Sequence, residues 1–350
     1  MKKFFAAANT ENGFFSLFDE IFAPEKFRRV YILKGGPGTG KSTLMRKIAD
    51  TAQMKGYDVE YICCSSDPDS LDGIIISELS VAILDGTAPH MTDPVYPGAV
   101  ERIVDLGVAF DFGRLEEKRD ELIPLIRTKK ESYRMGYRFL SVAGRIEREY
   151  DELLSGAYLA EKADAAVKRL IAPLRGHGIR KEEKRYISAI CGKGFCRLDT
   201  LSECARKIYA VTDKNGTGYL FMNTLYDNLR TGGFSITLCP SPVTGERKEA
   251  IFLNDEGILF LVVGEDSSVS ADKTINSARF IDKDRFAQKR YRLRFIEKCK
   301  HSILESAISC FAEAAKIHAE SERIYGACVD FLKIEGIMGK ISAEIFANNV

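Results

Sequence analysis

Hydrophobic residues along this chain form short continuous runs and longer stretches with a three-to-four-residue spacing. Residues 30–33 (VYIL) are a β-rich apolar run typical of a buried strand, and residues 81–84 (VAIL) form a second such run. After the first run, apolar residues at positions 44–48 recur at helical spacing. The early apolar run in KKFFAAA is too short for a signal peptide and is predicted to be a strand. Together these patterns predict an α/β fold with a mainly parallel sheet and flanking helices.

Two longer segments, at about 101–170 and about 285–345, have apolar residues at helical spacing among many charged ones. Their residues correspond in register, with Asp111 matching Asp282 and Arg114 matching Arg285. Pro124 lies within the first segment, where it is expected to kink or break a helix. We therefore predict that each half of the chain carries an inserted helical hairpin beside its sheet.

Between the first strand and the first helix lies a glycine loop with the Walker A pattern, Gly35-x-x-x-x-Gly40-Lys41-Ser42. Glycines let the backbone turn tightly and bring N–H groups close to phosphate oxygens, and the following helix adds its positive end. Lys41 is predicted to bind the β- and γ-phosphates, Ser42 to bind Mg²⁺, and Thr43 to support the α-phosphate. The predicted nucleotide-binding residues are Gly35, Gly36, Pro37, Gly38, Thr39, Gly40, Lys41, Ser42 and Thr43. Because the chain has no guanine-binding N-K-x-D sequence, we favour ATP over GTP.

A loop of this kind needs a second acidic group to hold Mg²⁺, usually at the end of a neighbouring apolar strand. Asp85 directly follows the run 81–84 and is the predicted Walker B-type carboxylate. We predict that Asp85 and Ser42 are the metal ligands, and that Lys41 and Asp85 are the catalytic residues.

An alternative acidic group is the loop SSDPDSLDG at residues 65–73. Its Asp67, Asp69 and Asp72 could face the γ-phosphate or a water molecule, or could belong to a solvated turn. His90 follows Asp85 closely in sequence and could sense the γ-phosphate, or it could have only a structural role.

The second half of the chain repeats the first. Residues 28–45 align with residues 206–223 at an offset of 178, and the same order of patterns continues on both sides. The identical positions in the first copy are Arg28, Tyr31, Gly38, Thr39 and Gly40. We predict a P-loop domain at residues 1–178 and a degenerate copy at residues 179–350, each with its helical insertion.

The second glycine loop has lost the groups that handle charge. Asp213 replaces the first glycine and would repel phosphate, while Tyr219 and Leu220 replace the lysine and the serine. The residue equivalent to Asp85 is at or next to Leu261. The second copy is therefore predicted to keep the fold and to bind no nucleotide in the usual way.

Both helical segments bring cations and aromatic residues together, as in RTKKESYRMGYR (127–138) and KRYRLRFIEKCK (289–300). One interpretation is a nucleic-acid groove with stacking rings and phosphate-binding cations. The other is a solvated charged face with the rings in the seam between helices, which we favour because acidic residues are interleaved. An arginine of these helices could also act on the γ-phosphate, but the sequence does not single one out.

Composition adds few constraints. The 51 basic and 50 acidic residues give a net charge of +1, so the chain as a whole has no attraction for nucleic acid or an anionic membrane. The longest later apolar run, residues 258–263, is far shorter than the roughly 18 residues needed to span a bilayer. The nine cysteines lack metal-site spacing and are expected to be reduced thiols in a cytoplasmic protein.

The sequences GGPGTGKSTLM, CCSSDPDSLDG and LDGTAPH, with a repeat in each half, resemble a bacterial family of tandem P-loop ATPase-like proteins found mainly in Firmicutes. The resemblance extends over nearly the whole chain and is most specific over residues 4–100. It implies a P-loop NTPase fold and ATP binding at residues 35–43, and it implies no particular substrate. The degenerate second loop departs from a nucleotide-binding pattern and argues against a second ATP site.

The sequence thus predicts Mg²⁺-dependent ATP binding in the first half with slow hydrolysis, and a regulatory or structural second half. One alternative is a small-molecule or nucleotide kinase, with an acceptor pocket under the helical hairpins. Another is a nucleotide-gated interaction protein with little turnover. Besides ATP, the expected partner is a protein or a small molecule that the sequence does not identify, and no membrane partner is expected.

Overall fold

The computed structural model describes residues 2–174, 176, 181–264, 267 and 269–347. The strands of the first half are β1 (Lys2–Phe5), β2 (Ala7–Thr10), β3 (Gly13–Ser16), β4 (Arg29–Lys34), β5 (Val59–Cys63), β6 (Leu71–Ile76), β7 (Val81–Asp85) and β8 (Glu101–Asp105). The helices of the first half are α1 (Phe18–Ile21), α2 (Lys41–Met54), α3 (Phe112–Glu117), α4 (Arg119–Ser155) and α5 (Ala160–Ile171).

The second half follows with the same succession of elements. Its strands are β9 (Lys181–Lys184), β10 (Ser188–Cys191), β11 (Gly194–Arg197), β12 (Lys207–Asp213), β13 (Ser235–Pro240), β14 (Lys248–Leu253), β15 (Ile258–Gly264) and β16 (Lys273–Asn276). Its helices are α6 (Thr200–Cys204), α7 (Thr217–Arg230), α8 (Lys283–Gly326) and α9 (Phe331–Phe346).

Each half builds one large sheet, and the two sheets have equivalent strand orders. The first order is β1-β5-β6-β7-β4-β8, and the second is β9-β13-β14-β15-β12-β16. In each sheet the two pairs made by β6 or β14 are antiparallel and the other pairs are parallel. The predicted α/β class with flanking helices is confirmed, and the sheets are mixed. The antiparallel pairs arise because the short connections around β6 and β14 cannot make the crossover that a parallel pair requires.

The two halves meet through equivalent residues. Phe5 and Tyr186, which the repeat aligns with each other, exchange backbone hydrogen bonds of 2.8 and 3.0 Å. Asn9 of β2 donates its side-chain amide to the carbonyl of Ile190 in β10, at 2.8 Å. A bridge between equivalent residues is what an approximate two-fold axis requires, so the halves are related as the subunits of a symmetric dimer are.

The long helices pair between the halves. α4 packs antiparallel against α8, as shown by contacts of Gly136 with Phe311 and of Leu153 with Lys289. The structure thus replaces the predicted hairpin within each half by one long antiparallel helix pair that both halves share. A helix of 37 or 44 residues rises roughly 55 or 65 Å, so this pair is the longest feature of the molecule.

The shorter terminal helices are exchanged. Ile334, Ile341 and Ile345 of α9 belong to the apolar core of the first sheet. Ala163 and Val167 of α5 belong to the core of the second sheet, next to α7. Each sheet is therefore covered on one face by a helix from the other half of the sequence.

Two expectations for the helical segments need correction. Residues 101–105 form the edge strand β8 beside β4, so the helical region begins at Phe112 instead of at 101. Pro124 does not break α4, which continues through it from Arg119 to Ser155. The predicted boundary between residues 178 and 179 lies outside the described residues.

The nine cysteines are all free, and several of them are buried. The thiols of Cys191 and Cys196 lie 3.6 Å apart across the β10–β11 hairpin. Over the described part of the chain, every helix is too short or too polar to pass through a lipid bilayer. β1 forms at the predicted amino-terminal strand and pairs with β5.

Candidate functional site

The first glycine loop (residues 35–40) connects the carboxyl end of β4 to α2. Leu33 of β4 pairs with Asp85 at the end of the parallel neighbour β7. Because the carboxyl ends of parallel strands meet at one edge of a sheet, the loop and Asp85 lie side by side. Gly38 and Gly40 have φ angles of 70° and 80°, a left-handed conformation that glycine adopts without strain.

Lys41 and Asp85, the two predicted catalytic residues, are neighbours in the structure. The Lys41 ammonium donates to the carbonyl oxygens of Gly35 and Gly36 at 3.0 Å each, and it lies 3.6 Å from Asp85 Oδ2. Both side chains are largely buried, with 12% and 16% of their surface exposed. Asp85 Oδ1 accepts hydrogen bonds from the backbone and the hydroxyl of Thr87. The pair thus places a cation and an anchored carboxylate side by side at the loop.

The backbone of the loop offers donors to an anion. Gly38 and Gly40 have no hydrogen-bond partner for their N–H groups among the residues that the structure describes. The Thr39 hydroxyl donates to the Gly36 carbonyl at 2.9 Å and fixes the turn. Successive N–H groups at the start of a helix form a concave anion-binding surface, which is what the loop can provide chemically.

Ser42 is the second residue of α2, and its hydroxyl oxygen accepts the Leu71 N–H at 3.0 Å. A hydroxyl has a second lone pair and a proton, so this contact leaves Ser42 able to bind a cation. Thr43, the last predicted binding residue, is exposed on α2. Within the described ranges, no group of three or more His, Cys, Asp or Glu side chains is arranged to hold a metal. Ser42 and Asp85 would be the protein's share of a Mg²⁺ site whose remaining ligands are phosphate and water.

The acidic loop 65–73 is held from the other half of the chain. Lys193, in the turn between β10 and β11, lies 2.7 Å from Asp67 and 2.6 Å from Asp69. This contact lowers the pKa of Asp69 below its ordinary value and raises the pKa of Lys193. Asp67 and Asp69 therefore have a cationic partner of their own within the protein.

His90 lies in the interior. Its Nε2 is 3.0 Å from Asp72 Oδ2, and its ring stacks on Phe18 at 4.0 Å and meets Phe14 edge-on at 4.8 Å. The His90 side chain is only 5% exposed. Asp72 and His90 thus form a buried pair between β6 and the α1 region, and this arrangement favours the structural role for His90.

The loop is also contacted by a part of the chain that the sequence did not indicate. A Cβ atom on Gly38 would lie 2.5 Å from the Glu322 carbonyl, and one on Gly36 would approach Tyr325 to 3.5 Å. These residues belong to the last turns of α8. Gly38 is therefore required both by the loop conformation and by the close approach of α8, and the second half forms one wall of the site.

Two further polar side chains reach this region from the long helices. His318 of α8 places its Nδ1 3.2 Å from the Lys129 ammonium of α4, and its other ring nitrogen lies 3.7 Å from Glu322. Burial, with a smaller contribution from Lys129, lowers the pKa of His318, and burial also lowers the pKa of Lys129. His318 lies one helical turn before Glu322, whose carbonyl group approaches Gly38, so this group is near the loop. The only sequence signal for these residues was the duplication of the long helices.

In the second glycine loop (residues 213–218), the side chain of Asp213 takes up the backbone donors. The Asp213 carboxylate accepts the N–H groups of Gly218 at 2.7 Å and of Gly216 at 3.3 Å. Burial raises the pKa of Asp213, while these two N–H groups and Arg247 oppose the rise. α7 begins at Thr217, two positions earlier in the repeat than α2 does. An internal carboxylate thus takes the donors that the first loop leaves open.

In the second half, other residue types also stand at the positions of Lys41 and Asp85. Tyr219 stands where Lys41 does, and the Arg247 guanidinium lies 4.9 Å from the centre of its ring. Arg247 is buried and pairs with Asp151, at 2.6 Å. Strand pairing makes Val262 the equivalent of Asp85, one residue after the predicted Leu261. The second loop therefore has no acidic residue at this position and no free lysine.

Comparison with known proteins gives one partial match. The family model described as "Nephrocystin 3, N-terminal" matches residues 16–81, which include β4, the first glycine loop and α2. No curated protein and no solved structure matches the chain significantly. The similarity is therefore confined to the segment that contains the predicted phosphate-binding loop.

Proposed function

We propose that this protein binds ATP with Mg²⁺ at the first glycine loop and hydrolyses it slowly, while the second half is an inactive structural or regulatory copy. The observation that carries the proposal is the contrast between the loops: Gly38 and Gly40 have open N–H groups beside Lys41, whereas Asp213 fills the second loop. Residues that fit the phosphates and the metal are present once in the described part of the chain.

The roles follow from the positions of the residues. The loop N–H groups and Lys41 would bind the phosphates and stabilise the negative charge that develops on them. Ser42 and Asp85 would hold Mg²⁺, which when bound supplies charge neutralisation to the phosphates. Lys41 would leave the carbonyl groups of Gly35 and Gly36 for the phosphates, because an anion is a stronger partner for an ammonium than a neutral carbonyl is.

The family and the compartment belong to the same proposal. The Walker A sequence, the SSDPDSLDG sequence and the two equivalent halves support membership in the Firmicutes family of tandem P-loop ATPase-like proteins. Free cysteines support a cytoplasmic location, because reducing compartments keep thiols reduced.

A nucleotide-gated interaction protein is a second candidate, and the α8 contact favours it. The last turns of α8 touch Gly36 and Gly38, so a ligand in the loop would act directly on a helix that runs through both halves. Such a protein would bind ATP tightly and release little phosphate.

The test is a titration of ATP, with and without Mg²⁺, into wild type, Lys41→Ala, Asp85→Asn and the matched control Tyr219→Ala. We expect Lys41→Ala to abolish binding, Asp85→Asn to remove the effect of Mg²⁺, and Tyr219→Ala to bind as wild type does. Wild-type binding by Lys41→Ala would disprove the site, and unchanged metal dependence in Asp85→Asn would disprove the metal assignment.

The same samples separate the candidate functions. Phosphate release from ATP alone supports the ATPase, and binding without release supports the nucleotide-gated protein. ATP consumption only after a metabolite is added supports the kinase.

A further inference from the structure

A groove of about 1050 Å³ lies beside the second glycine loop, far along the helix pair from the first loop. One wall is the amino-terminal part of α8, residues 283–301, and the other is formed by the loop with Tyr150 and Arg247. The groove is a feature of the second half, which the proposed nucleotide function leaves without a ligand.

Cations dominate the α8 wall. Lys283, Arg290, Arg294 and Lys298 line the groove, and none of them has an ion-pair partner in the part of the chain that the structure describes. Positions 290, 294 and 298 follow one another on one helix face, about 6 Å apart along the axis. Glu297 also lines the groove, but it lies 3.4 Å from Lys300. The wall therefore presents a row of uncompensated positive charges at a regular spacing.

Exposed aromatic residues lie next to this row. Tyr291 is 87% exposed and Phe295 is 61% exposed, and they follow the arginines at the same four-residue spacing. Both rings are therefore mostly open to solvent. The other cation-rich segment behaves differently, because Tyr133 and Tyr137 pack against Phe311 at ring distances of 5.8 and 5.7 Å. For that segment the solvated-face interpretation agrees with the structure, whereas on α8 the rings point to solvent.

The equivalent face of the first half lacks the pattern. The helix-capping residues Asp111 and Asp282 set the register between the two segments. In that register Arg294 corresponds to Ile123, Tyr291 to Asp120 and Phe295 to Pro124. The first half thus keeps two arginines, Arg119 and Arg127, without the central cation and without the rings. The row of cations and rings is specific to α8.

We propose that the amino-terminal part of α8 binds single-stranded nucleic acid, with phosphates along the cation row and bases stacked on Tyr291 and Phe295. A single strand fits this surface better than a duplex does, because only unpaired bases expose the faces that an aromatic ring can stack on. A chain of net charge +1 has no general attraction for polyanions, so the interaction depends on the local row. This site is separate from the first glycine loop and does not require nucleotide there.

The experiment measures fluorescence anisotropy of a labelled oligo(dT), long enough to span the groove, with the full chain over a range of salt concentrations. The charge variant is Arg290→Glu with Lys298→Glu, and its matched control is Arg119→Glu with Arg127→Glu at the equivalent positions of the first half. The aromatic variant is Tyr291→Ala with Phe295→Ala. All substitutions are at solvent-facing positions, and circular dichroism checks that each variant is folded.

We expect wild type and the control to bind alike, with an affinity that falls as salt rises with a log–log slope of about −2 to −3 for three or four phosphates. The charge variant should bind at least about tenfold more weakly with a shallower slope. The aromatic variant should also lose about tenfold or more, with the slope unchanged, because stacking does not release counterions.

Several outcomes would overturn the proposal. These are no binding by wild type, an equal loss in the control variant, or equal affinity for a duplex of the same length. If the charge variant weakens binding but the aromatic variant does not, and inorganic triphosphate competes fully, the groove binds small polyanions and the nucleic-acid assignment is wrong.

Discussion

The two glycine loops, residues 35–40 and 213–218, both connect a central strand to a helix, and both keep Gly-Thr-Gly. In the first loop, a hydroxyl at Thr39 donates to the carbonyl three residues earlier, and Thr217 makes the same bond in the second. One difference between the two backbones is their partner: Asp213 takes the N–H groups that the first loop leaves open. The second loop thus keeps the glycine turn of the first while an internal carboxylate occupies its N–H groups.

The carboxylates at the start of β6 and β14 give a second comparison. Asp72 and Glu249 occupy the same bulge in their sheets, because Gly73 and Ala250 have equivalent strand partners. Asp72 pairs with His90, whereas Glu249 accepts the Ser188 hydroxyl at 2.5 Å and is buried. The bulge and its acidic residue persist although the partner changes, so the two halves have diverged in charge and kept the backbone.

The helix pair shows the same divergence. Lys129 of α4 meets His318 of α8 near the first loop, and the symmetric contact joins Lys300 to Glu147 near the second, at 3.6 Å. Lys129 thus meets an imidazole where Lys300 meets a carboxylate, so the two halves differ in charge at equivalent positions of the helix pair.

The variant Gly35→Asp copies Asp213 of the second loop into the equivalent position of the first. The new carboxylate should accept the N–H groups of Gly38 and Gly40 and repel phosphate, because charge-assisted hydrogen bonds contribute about 1.5–3 kcal/mol each. We expect ATP affinity to fall about 1,000-fold, measured by calorimetry. Gly35→Asn, which has the same shape without the charge, should lose less. A Gly35→Asp protein whose affinity for ATP is within threefold of that of wild type would contradict the explanation that the Asp carboxylate occupies the N–H groups of the loop.

The exchange of helices can be tested with Ile341→Ala in α9 and Val167→Ala in α5. Truncating a buried Ile side chain to Ala lowers the free energy of unfolding by about 2–5 kcal/mol. The destabilisation should be greatest in the sheet that the helix covers. Hydrogen exchange should accelerate in β4 and β7 for Ile341→Ala, and in β12 and β15 for Val167→Ala. Faster exchange in the opposite sheet would show that each helix serves its own half.

Glu249 predicts a pH dependence of stability. Burial raises its pKa to about 7, against an opposing hydrogen bond from Ser188. The folded protein then favours the protonated carboxyl. The contribution of Glu249 to the free energy of unfolding is complete below the ordinary Glu pKa and is lost as pH rises through about 7. The loss is about 3 kcal/mol, from 1.36 kcal/mol for each pKa unit.

The measurement for Glu249 is the free energy of urea unfolding between acidic and mildly alkaline pH, for wild type and Glu249→Gln. The difference between the two proteins should change with pH in the direction given, with the variant relatively more stable at the alkaline end. A constant difference would mean that Glu249 titrates normally in the folded state.

The smallest expected effect comes from Asp213→Ala. Gly216 and Gly218 are buried and would lose their acceptor, so the free energy of unfolding should fall by about 1–2 kcal/mol. ATP binding should not appear, because Tyr219 and Leu220 cannot replace a lysine and a serine. Measurable ATP binding by this variant, checked by calorimetry, would show that Asp213 alone prevents the second loop from binding ATP.

Much of the fold and of the site could be predicted from local sequence, and the exceptions have physical causes. The strand–loop–helix at residues 30–48 and the strand ending at Asp85 are continuous buried runs, so their neighbouring positions followed from parallel pairing. β8 was missed because an edge strand with exposed Arg102 and Ile103 has no clear apolar pattern. The roles of Lys41, Ser42 and Asp85 stay predictions.

Long-range pairing could not be predicted. Helical spacing shows that α4 and α8 each have an apolar face, but it does not identify the partner of that face. The contact of Glu322 and Tyr325 with the glycine loop depends on that pairing, so it could not be predicted from the sequence. For the same reason the sequence located the equivalent of Asp85 only as at or next to Leu261. The strand register identifies it as Val262.

The exchanged position of α9 affects how the chain can fold during synthesis. The last strand of the first sheet ends at Asp105, but Ile334, Ile341 and Ile345, which complete the core, are made about 230 residues later or more (334 − 105 = 229). At translation rates of roughly 5–20 residues per second, that interval is on the order of 10–45 s. Throughout this time the first sheet exposes an apolar surface on the ribosome, so a chaperone has a defined face of the nascent chain to protect.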